Sequence, residues 1–305
     1  MYEEIKLLSE GEILSLRIKL EGCELFSKIG TSTRFFTVDN CPVVKIGCGA
    51  YGDIYKVYSE KLGKYVAVKV FREENSAEIF KKTQGDFEYA DVFRAQKYKS
   101  RALPEIFSSK EVELEKRILI MEYCECGDLL DYLNSRTNSR TRKNNLKQQF
   151  PAIIRLLRDM HDSLLMHRDI KPENILIRKD GSWVLSDFGS LARDNLHEID
   201  KDDMYGTLKY MPPEVALKGA YYSTMGDIWS LGIVMYMVLT DKNPVESLFF
   251  ETFGCNDINA LSVKKFELGM KVILQRPDDW NKRILENLKG RHKVDEFFME
   301  IIPKM

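Results

Sequence analysis

The sequence of 305 residues is 44% hydrophobic and 30% charged, and its formal net charge is −1. These values are typical of a globular chain that is long enough for one large domain or for two lobes with separate cores. The balanced charge gives no overall signal for nucleic acid or for a membrane surface, so neither is expected as a partner. The cysteines have neither zinc-finger spacing nor the density of a disulfide scaffold, which favours reduced thiols and a cytoplasmic protein with access to the nucleus.

The beginning of the chain carries no recognisable chemistry. Residues 1–40 have mixed helical periodicity without a motif, and we treat them as an N-terminal extension of unknown role. They also lack the basic and apolar regions of a signal peptide. The longest apolar run of the chain, Trp229–Leu239, is about half the length needed to cross a bilayer and therefore predicts a buried helix.

Beyond this extension the pattern changes from strand-like to helical. The β-branched composition of the next segment predicts three strands, and Gly63 supplies a hairpin turn between the last two. These strands are Val43–Ile46, Ile54–Val57 and Tyr65–Val70, and the clearest helices further on are Phe150–Leu165 and Asp227–Leu239. A strand-rich part followed by a helix-rich part predicts an α+β fold of two lobes, over residues 41–123 and 124–305.

One low-complexity segment, Asn134–Gln149, contains five basic residues and no acidic residue. Such a composition is typical of a flexible loop in solvent. The alternative is a docking patch for an acidic partner, and both interpretations stay open.

A glycine run at Gly47, Gly49 and Gly52 has the GxGxxG spacing, which a dinucleotide-binding turn shares. The residues that follow the glycine run decide whether it is a dinucleotide-binding turn or a flap between two strands. A dinucleotide turn opens a helix, whereas Ile54–Val57 is predicted as a strand. A glycine turn between two strands is a flap whose backbone N–H groups can approach phosphate oxygens.

A lysine follows on the next predicted strand. Lys69 lies in an otherwise apolar run, as an ammonium group that reaches α- and β-phosphates would. Such a lysine needs an anion from a downstream helix. The candidates are Glu78 and Glu88, and we prefer Glu88 because Val92 shares its helical face and points inward.

Two short segments further on have the composition of a catalytic centre. In the first, Asp169, Lys171 and Asn174 supply a base, a phosphate clamp and a metal ligand from one loop. In the second, Asp187 precedes Phe188 and Gly189. The oxygen atoms of Asn174 and Asp187 suit Mg²⁺, which prefers hard oxygen ligands.

These motifs in this order resemble the protein kinase signature: GCGAYG, VAVK, HRDIKPEN, DFG and the Pro213-Glu214 pair. The resemblance implies a bilobal fold with a small β-rich N-lobe and a larger helical C-lobe. It also implies transfer of the γ-phosphoryl group of ATP to protein substrates, with Mg²⁺ or Mn²⁺ as the metal ion.

The resemblance also assigns roles to single residues. Asp169 resembles the catalytic base, Lys171 the lysine that neutralises the γ-phosphoryl group, and Lys69 with Glu88 the ion pair. Asn174 and Asp187 resemble the metal ligands, and Asp227 the residue that braces the catalytic loop. The residues implied to hold the nucleotide are the flap glycines Gly47, Gly49 and Gly52, the hinge residues Met121, Glu122 and Cys124, the ribose-contacting Asp128, and Ile46, Ile54, Ala67 and Leu176 around adenine.

The same resemblance also indicates which amino acids the protein would phosphorylate. Lys171 in the catalytic loop and the segment around Thr207, which is expected near the base, are similar to the serine/threonine class. Glu173 and Asp128 suggest basic residues before the acceptor. A pseudokinase is the main alternative, although Lys69, Asp169 and Asp187 are all present. A small-molecule kinase would lack the segment before Pro213.

Two departures from the family pattern concern regulation and stability. No Ser, Thr or Tyr lies between Leu191 and Met204, and Asp203 stands where a phosphothreonine is often found. We hypothesise that Asp203 supplies a permanent charge to Arg168, the alternative being an acidic loop in solvent. The arginine that normally pairs with Glu214 is also missing, so either the sequence is truncated or a local substitute, Arg276 or Arg283, takes that role.

Overall fold

The computed structural model describes residues 44–48, 52–59, 62–71, 100–112, 116–135, 139–193, 207–217, 223–255 and 257–289. The chain divides into two compact units. The first comprises Met1–Lys99 and Pro104–Glu125, and the second comprises Ser100–Leu103 and Cys126–Met305. The N-terminal extension, Gly49, Glu78, Glu88 and Asp203 lie outside the described residues.

The first unit contains an antiparallel five-stranded sheet in the order β1-β2-β3-β5-β4. The strands are β1 (Val44–Cys48), β2 (Gly52–Ser59), β3 (Lys64–Phe71), β4 (Ile106–Val112) and β5 (Lys116–Glu122). The three predicted strands are confirmed, and so is the turn at Gly63, whose φ of 62° favours glycine. The core side chains of this sheet include Val57, Val66, Val68, Leu119 and Ile120.

The second unit is mostly helical. Its helices are α1 (Leu129–Asn134), α2 (Ser139–Asp162), α3 (Pro213–Ala216), α4 (Thr224–Thr240), α5 (Pro244–Phe253), α6 (Val263–Gln275) and α7 (Pro277–Lys289). Two short pairs of strands complete the loops around them: β6 (Leu165–Met166) pairs with β9 (Ala192–Arg193), and β7 (Ile175–Ile177) pairs with β8 (Trp183–Leu185). The predicted α+β architecture is confirmed.

Helix α4 forms the centre of the second unit, as the apolar run predicted. It begins after Ser223, whose side chain accepts a hydrogen bond from the Met225 N–H, and ends at Asp241 with a positive φ. Thirteen of its residues are buried, which is the pattern of a helix surrounded by other elements. Among the described helices, none combines the length and the apolar character that a membrane span requires.

The interpretation of Asn134–Gln149 as a flexible loop was wrong, because most of this segment is helical, while the alternative of a docking patch stays a prediction. Helix α2 begins at Ser139 instead of Phe150 and ends at Asp162. The buried side chains that explain it recur at spacings of three and four, the repeat of one helical face. They are Leu146, Phe150, Ile153, Leu157 and Met160.

Helices α5 and α6 approach each other closely at one glycine. A Cβ atom at Gly269 would lie 2.4 Å from Cζ of Phe249, which is fully buried. Since carbon atoms do not approach to that distance, only glycine fits this crossing. The absence of a side chain at Gly269 therefore lets α5 and α6 approach this closely.

Candidate active site

The loop after β6 is held by a single buried carboxylate. Asp227, in the first turn of α4, is fully buried. Its Oδ2 accepts hydrogen bonds from the His167 N–H at 2.8 Å and from Nε2 of His161 at 2.9 Å, and its Oδ1 accepts one from the Arg168 N–H at 2.8 Å. The predicted bracing role of Asp227 is confirmed, and α4 thereby fixes the loop.

His167 connects this loop with the segment before Asp187. Its Nε2–H donates to the carbonyl oxygen of Ser186 at 3.1 Å, and its Nδ1 accepts from the Asp169 N–H at 3.3 Å. Its ring also contacts Phe188 edge-on, with ring centroids 4.8 Å apart. Both aromatic side chains are buried, so the contact is protected from solvent.

The side chain of Asp169 lies at the centre of a polar cluster. Its Oδ2 accepts from Nζ of Lys171 at 2.7 Å and from Nδ2 of Asn174 at 3.0 Å, and its Oδ1 accepts from Oγ1 of Thr207 at 3.3 Å. Nζ of Lys171 also donates to Oγ1 of Thr207 at 3.1 Å. The structure therefore brings together the predicted base, the predicted lysine and the predicted substrate-binding segment.

Asn174 and Asp187 are tied together through Ser186. Both the N–H and the hydroxyl of Ser186 donate to the carbonyl oxygen of Asn174, at 2.8 and 3.0 Å. Asp187 follows directly, with an exposed side chain and a left-handed backbone at φ 59°. Because Nδ2 of Asn174 donates to Asp169, its Oδ1 is the atom suited to a cation. This donor set fits Mg²⁺, with Asn174 and Asp187 as the residues that would hold it.

In the first unit, four predicted residues share one face of the sheet. Ala67 and Lys69 are two residues apart on β3 and therefore point the same way. Ile54 lies opposite Lys69, and Met121 lies opposite Ala67. Lys69 is 7% exposed, which is unusual for a lysine. The strand register thus places the predicted phosphate-binding lysine beside the predicted adenine-lining residues.

The remaining predicted positions of the first unit lie on β1, at the start of β2, and at or just after the end of β5. Gly47 lies opposite Ile54, and Ile46 beside it is 42% exposed, at an irregularity of β1. Gly52 begins β2. At the predicted hinge, the Glu122 N–H donates to the carbonyl oxygen of Glu105 at 2.8 Å, so that N–H is already used. The Cys124 side chain is buried.

Asp128 and Leu176 lie in the second unit, where an isolated β-bridge joins them. Asp128 caps helix α1, since its Oδ1 accepts from the Asp131 N–H at 2.8 Å. Burial raises the pKa of the Asp128 carboxyl group above its usual value. The sequence did not predict this capping role, although an aspartate just before an apolar helical run is a typical capping signal.

Neither predicted arginine pairs with Glu214, so both proposed substitutes were wrong. Arg283 makes a bidentate ion pair with Glu251 at 2.7 and 2.6 Å, and Arg276 lies 4.0 Å from Asp279. Burial raises the pKa of Glu214. Within the described part of the chain, Glu214 has no basic partner.

Sequence reasoning missed the roles of His167 and Ser186. His167 stood inside a recognised motif, yet its bond to the carbonyl oxygen of Ser186 reaches another segment and is not visible in the spacing of the sequence. Tyr210 was also missed. Burial and the carboxylates Glu173, Glu246 and Asp169 raise its pKa, so its hydroxyl stays protonated. The buried Tyr210 hydroxyl lies in the predicted substrate-binding segment, three residues after Thr207.

Comparison with known proteins agrees with this geometry. The family model for the protein kinase domain matches residues 42–290. This chain belongs to the protein kinase family. The kinase motifs of the sequence all fall within the matched range.

Three curated relatives of this chain carry the name serine/threonine-protein kinase. Serine/threonine-protein kinase KIC1 of Saccharomyces cerevisiae is 32% identical over 204 residues, or 65% of this chain and 18% of that protein. Nek1 of Mus musculus is 31% identical over 207 residues, or 67% and 16%. Nek5 of Homo sapiens is 32% identical over 213 residues, or 68% and 29%. The chain thus spans less than a third of the length of each of these three relatives.

Proposed function

We propose that this kinase transfers the γ-phosphoryl group of Mg-ATP to serine and threonine hydroxyls of protein substrates. The observation that carries the proposal is the cluster in which Asp169 contacts Lys171, Asn174 and Thr207. Thr207 belongs to the segment that resembles a peptide-binding region. Its hydroxyl, 3.3 Å from Oδ1 of Asp169, marks where a substrate hydroxyl can meet the base.

Each residue of the cluster has a distinct task. Asp169 orients the acceptor hydroxyl and accepts its proton, while Lys171, held at 2.7 Å from Asp169, offers a positive charge to the phosphoryl oxygens. Asn174 and Asp187 are the residues that would hold Mg²⁺, and the ion would there neutralise phosphate charge. Lys69 would bind the α- and β-phosphates. Transfer then depends on position and electrostatics, because the reaction needs little covalent chemistry from the protein.

The proposal is tested with purified protein, Mg²⁺ and ATP labelled at the γ-phosphate. Three peptide pools that differ only in a central serine, threonine or tyrosine are offered, each with basic or acidic flanks. We expect label in the serine and threonine pools, and more of it with basic flanks because Glu173 and Asp128 are acidic. Nucleotide binding without transfer to any pool would support a pseudokinase and contradict the proposal.

We further propose that activity does not require a phosphate between Leu191 and Met204, because Asp203 supplies charge to Arg168 permanently. Nε of Arg168 donates to the carbonyl oxygen of Ser190 at 2.6 Å, which holds this side chain beside the start of that segment.

Phosphatase treatment is expected to leave the rate of peptide phosphorylation unchanged within about twofold, whereas Asp203→Ala lowers that rate about tenfold. Asp200→Ala is the matched control, and a large loss on dephosphorylation contradicts the idea.

A further inference from the structure

The short segment that follows Thr207 is held in place by several elements of the second unit. Leu208–Tyr210 forms a single 3₁₀ turn, in which the Tyr210 N–H donates to the carbonyl oxygen of Thr207 at 2.9 Å. The carbonyl oxygen of Tyr210 accepts a hydrogen bond from Oγ of Ser230 on α4 at 2.8 Å. The residue in the middle of the turn, Lys209, is held from a different helix.

Asn243, just before α5, anchors the middle of this turn. Its side chain is buried, and its Nδ2 donates to the carbonyl oxygen of Lys209 at 3.1 Å. Its Oδ1 accepts from the N–H groups of Val245 and Glu246 at 2.9 and 3.1 Å, which caps α5. Because these two donors require an oxygen atom, the orientation of the amide is determined, and its N–H₂ group faces Lys209.

The backbone that carries Asn243 is itself firmly connected to α4. Asp241 ends α4, and only Lys242 lies between it and Asn243. Oγ1 of Thr240 accepts from the Lys242 N–H at 3.3 Å and donates to the carbonyl oxygen of Tyr236 at 2.9 Å. A buried amide on such a connection has little freedom, so it can fix the position of the backbone that it contacts.

We propose that Asn243 is a positioning residue for the protein substrate and acts through the carbonyl oxygen of Lys209. A cap for α5 needs only an acceptor, which an aspartate or a serine also supplies. The additional donor of asparagine is the group that Lys209 uses. Glu246, in the first turn of α5, also lies 3.6 Å from Nζ of Lys209.

The effect on the substrate follows from the shortness of the turn. Lys209 and Thr207 are two residues apart in one hydrogen-bonded turn, so a shift of Lys209 also moves Thr207. The Thr207 hydroxyl lies 3.3 Å from Oδ1 of Asp169, at the place where the proposed function puts the acceptor hydroxyl. The inference therefore rests on the proposed transfer to protein substrates.

Replacing Asn243 with aspartate separates the two tasks of its side chain. The carboxylate still caps α5, but it removes the donor and places an oxygen atom against the Lys209 carbonyl group. Binding of a fluorescein-labelled peptide with a central serine and arginine flanks is measured by fluorescence anisotropy without ATP. We expect about tenfold weaker binding, with the affinity for ATP unchanged within about twofold.

Two further variants make this experiment decisive. Asn243→Ser keeps a preferred capping residue, introduces no charge, and is too short to reach Lys209, so it should weaken peptide binding to a similar extent. It replaces the aspartate variant if the buried charge prevents folding. Ser247→Ala is the matched control, because it removes a hydrogen bond of 2.8 Å to the Asn243 carbonyl oxygen and leaves the contact with Lys209 intact. This control should bind the peptide like the wild type.

Wild-type peptide affinity in a folded Asn243→Asp or Asn243→Ser protein would overturn the inference. An equal loss of affinity for peptide and for ATP would overturn it too, because it would show a general structural role. So would a wild-type protein that does not bind the peptide. A wild-type protein that binds the peptide without phosphorylating it contradicts only the proposed function, and the comparison of peptide affinities still decides the role of Asn243.

Discussion

Replacing Asp169 with asparagine is expected to lower kcat for peptide phosphorylation about 10²–10⁴-fold, the usual contribution of a general base. An amide cannot accept the proton of the substrate hydroxyl. It also presents an N–H₂ group to a site in which Nζ of Lys171 and Nδ2 of Asn174 already donate. Because the change lies at the acceptor end of the reaction, the affinity for ATP should stay within about threefold.

Single-turnover and steady-state measurements with a serine peptide separate these two effects. Asp159→Asn is a suitable control, since Asp159 is a carboxylate of the same unit whose side chain pairs with Arg158 on the outer face of α2. That variant should keep wild-type kinetics. If Asp169→Asn kept more than about a third of the wild-type kcat, Asp169 would not be the base. A loss of ATP affinity equal to the loss of kcat would instead assign Asp169 to nucleotide binding.

The strands of the first unit were predictable because their signals are local. β-Branched residues alternate along β3, and the turn before it needs a residue that tolerates positive φ, which Gly63 provides. No distant contact is needed to read these features. The strand register then follows from the hairpin, so the shared face of Ile54 and Lys69 was also within reach.

The start of α2 was missed for a physical reason. Leu146 is the only apolar residue in a run of charged and amide residues, so the sequence around it shows no apolar periodicity. Its burial fits a helical pattern only when Phe150 and Ile153 are counted on the same face. Pro151 also lies inside the helix, where its missing N–H removes a hydrogen bond and argues against a continuous helix. The helix persists because its apolar face packs against the core, a tertiary effect that outweighs local propensity.

In the candidate site too, some contacts could be predicted from the sequence and others depend on tertiary packing. Asp169, Lys171 and Asn174 share one loop, so their proximity follows from the sequence alone. The contact of Thr207 with Asp169 followed only from the family resemblance, because a long stretch of chain separates the two. The partner of Arg283 depends on how α7 packs beside α5, and nothing in the sequence distinguishes Glu251 from Glu214 before that packing is known.

Replacing Asp227 with asparagine is expected to lower the free energy of unfolding by about 3 kcal/mol and to abolish most activity. Three donors converge on this buried carboxylate: the N–H groups of His167 and Arg168, and Nε2 of His161. An asparagine side chain has one acceptor oxygen, and its N–H₂ group would face at least one of these donors. The lost bonds cannot be replaced by water, because Asp227 is fully buried.

Urea unfolding followed by circular dichroism measures the stability change, with Asp278→Asn as the control because Asp278 is exposed at the start of α7. The control should stay within about 0.5 kcal/mol of the wild type. Activity is compared at a low temperature at which both proteins are folded. A loss of kcat there means that Asp227 positions the loop before Asp169 as well as stabilising the fold. An unfolding free energy equal to that of the wild type would show that α4 does not hold the loop through this carboxylate.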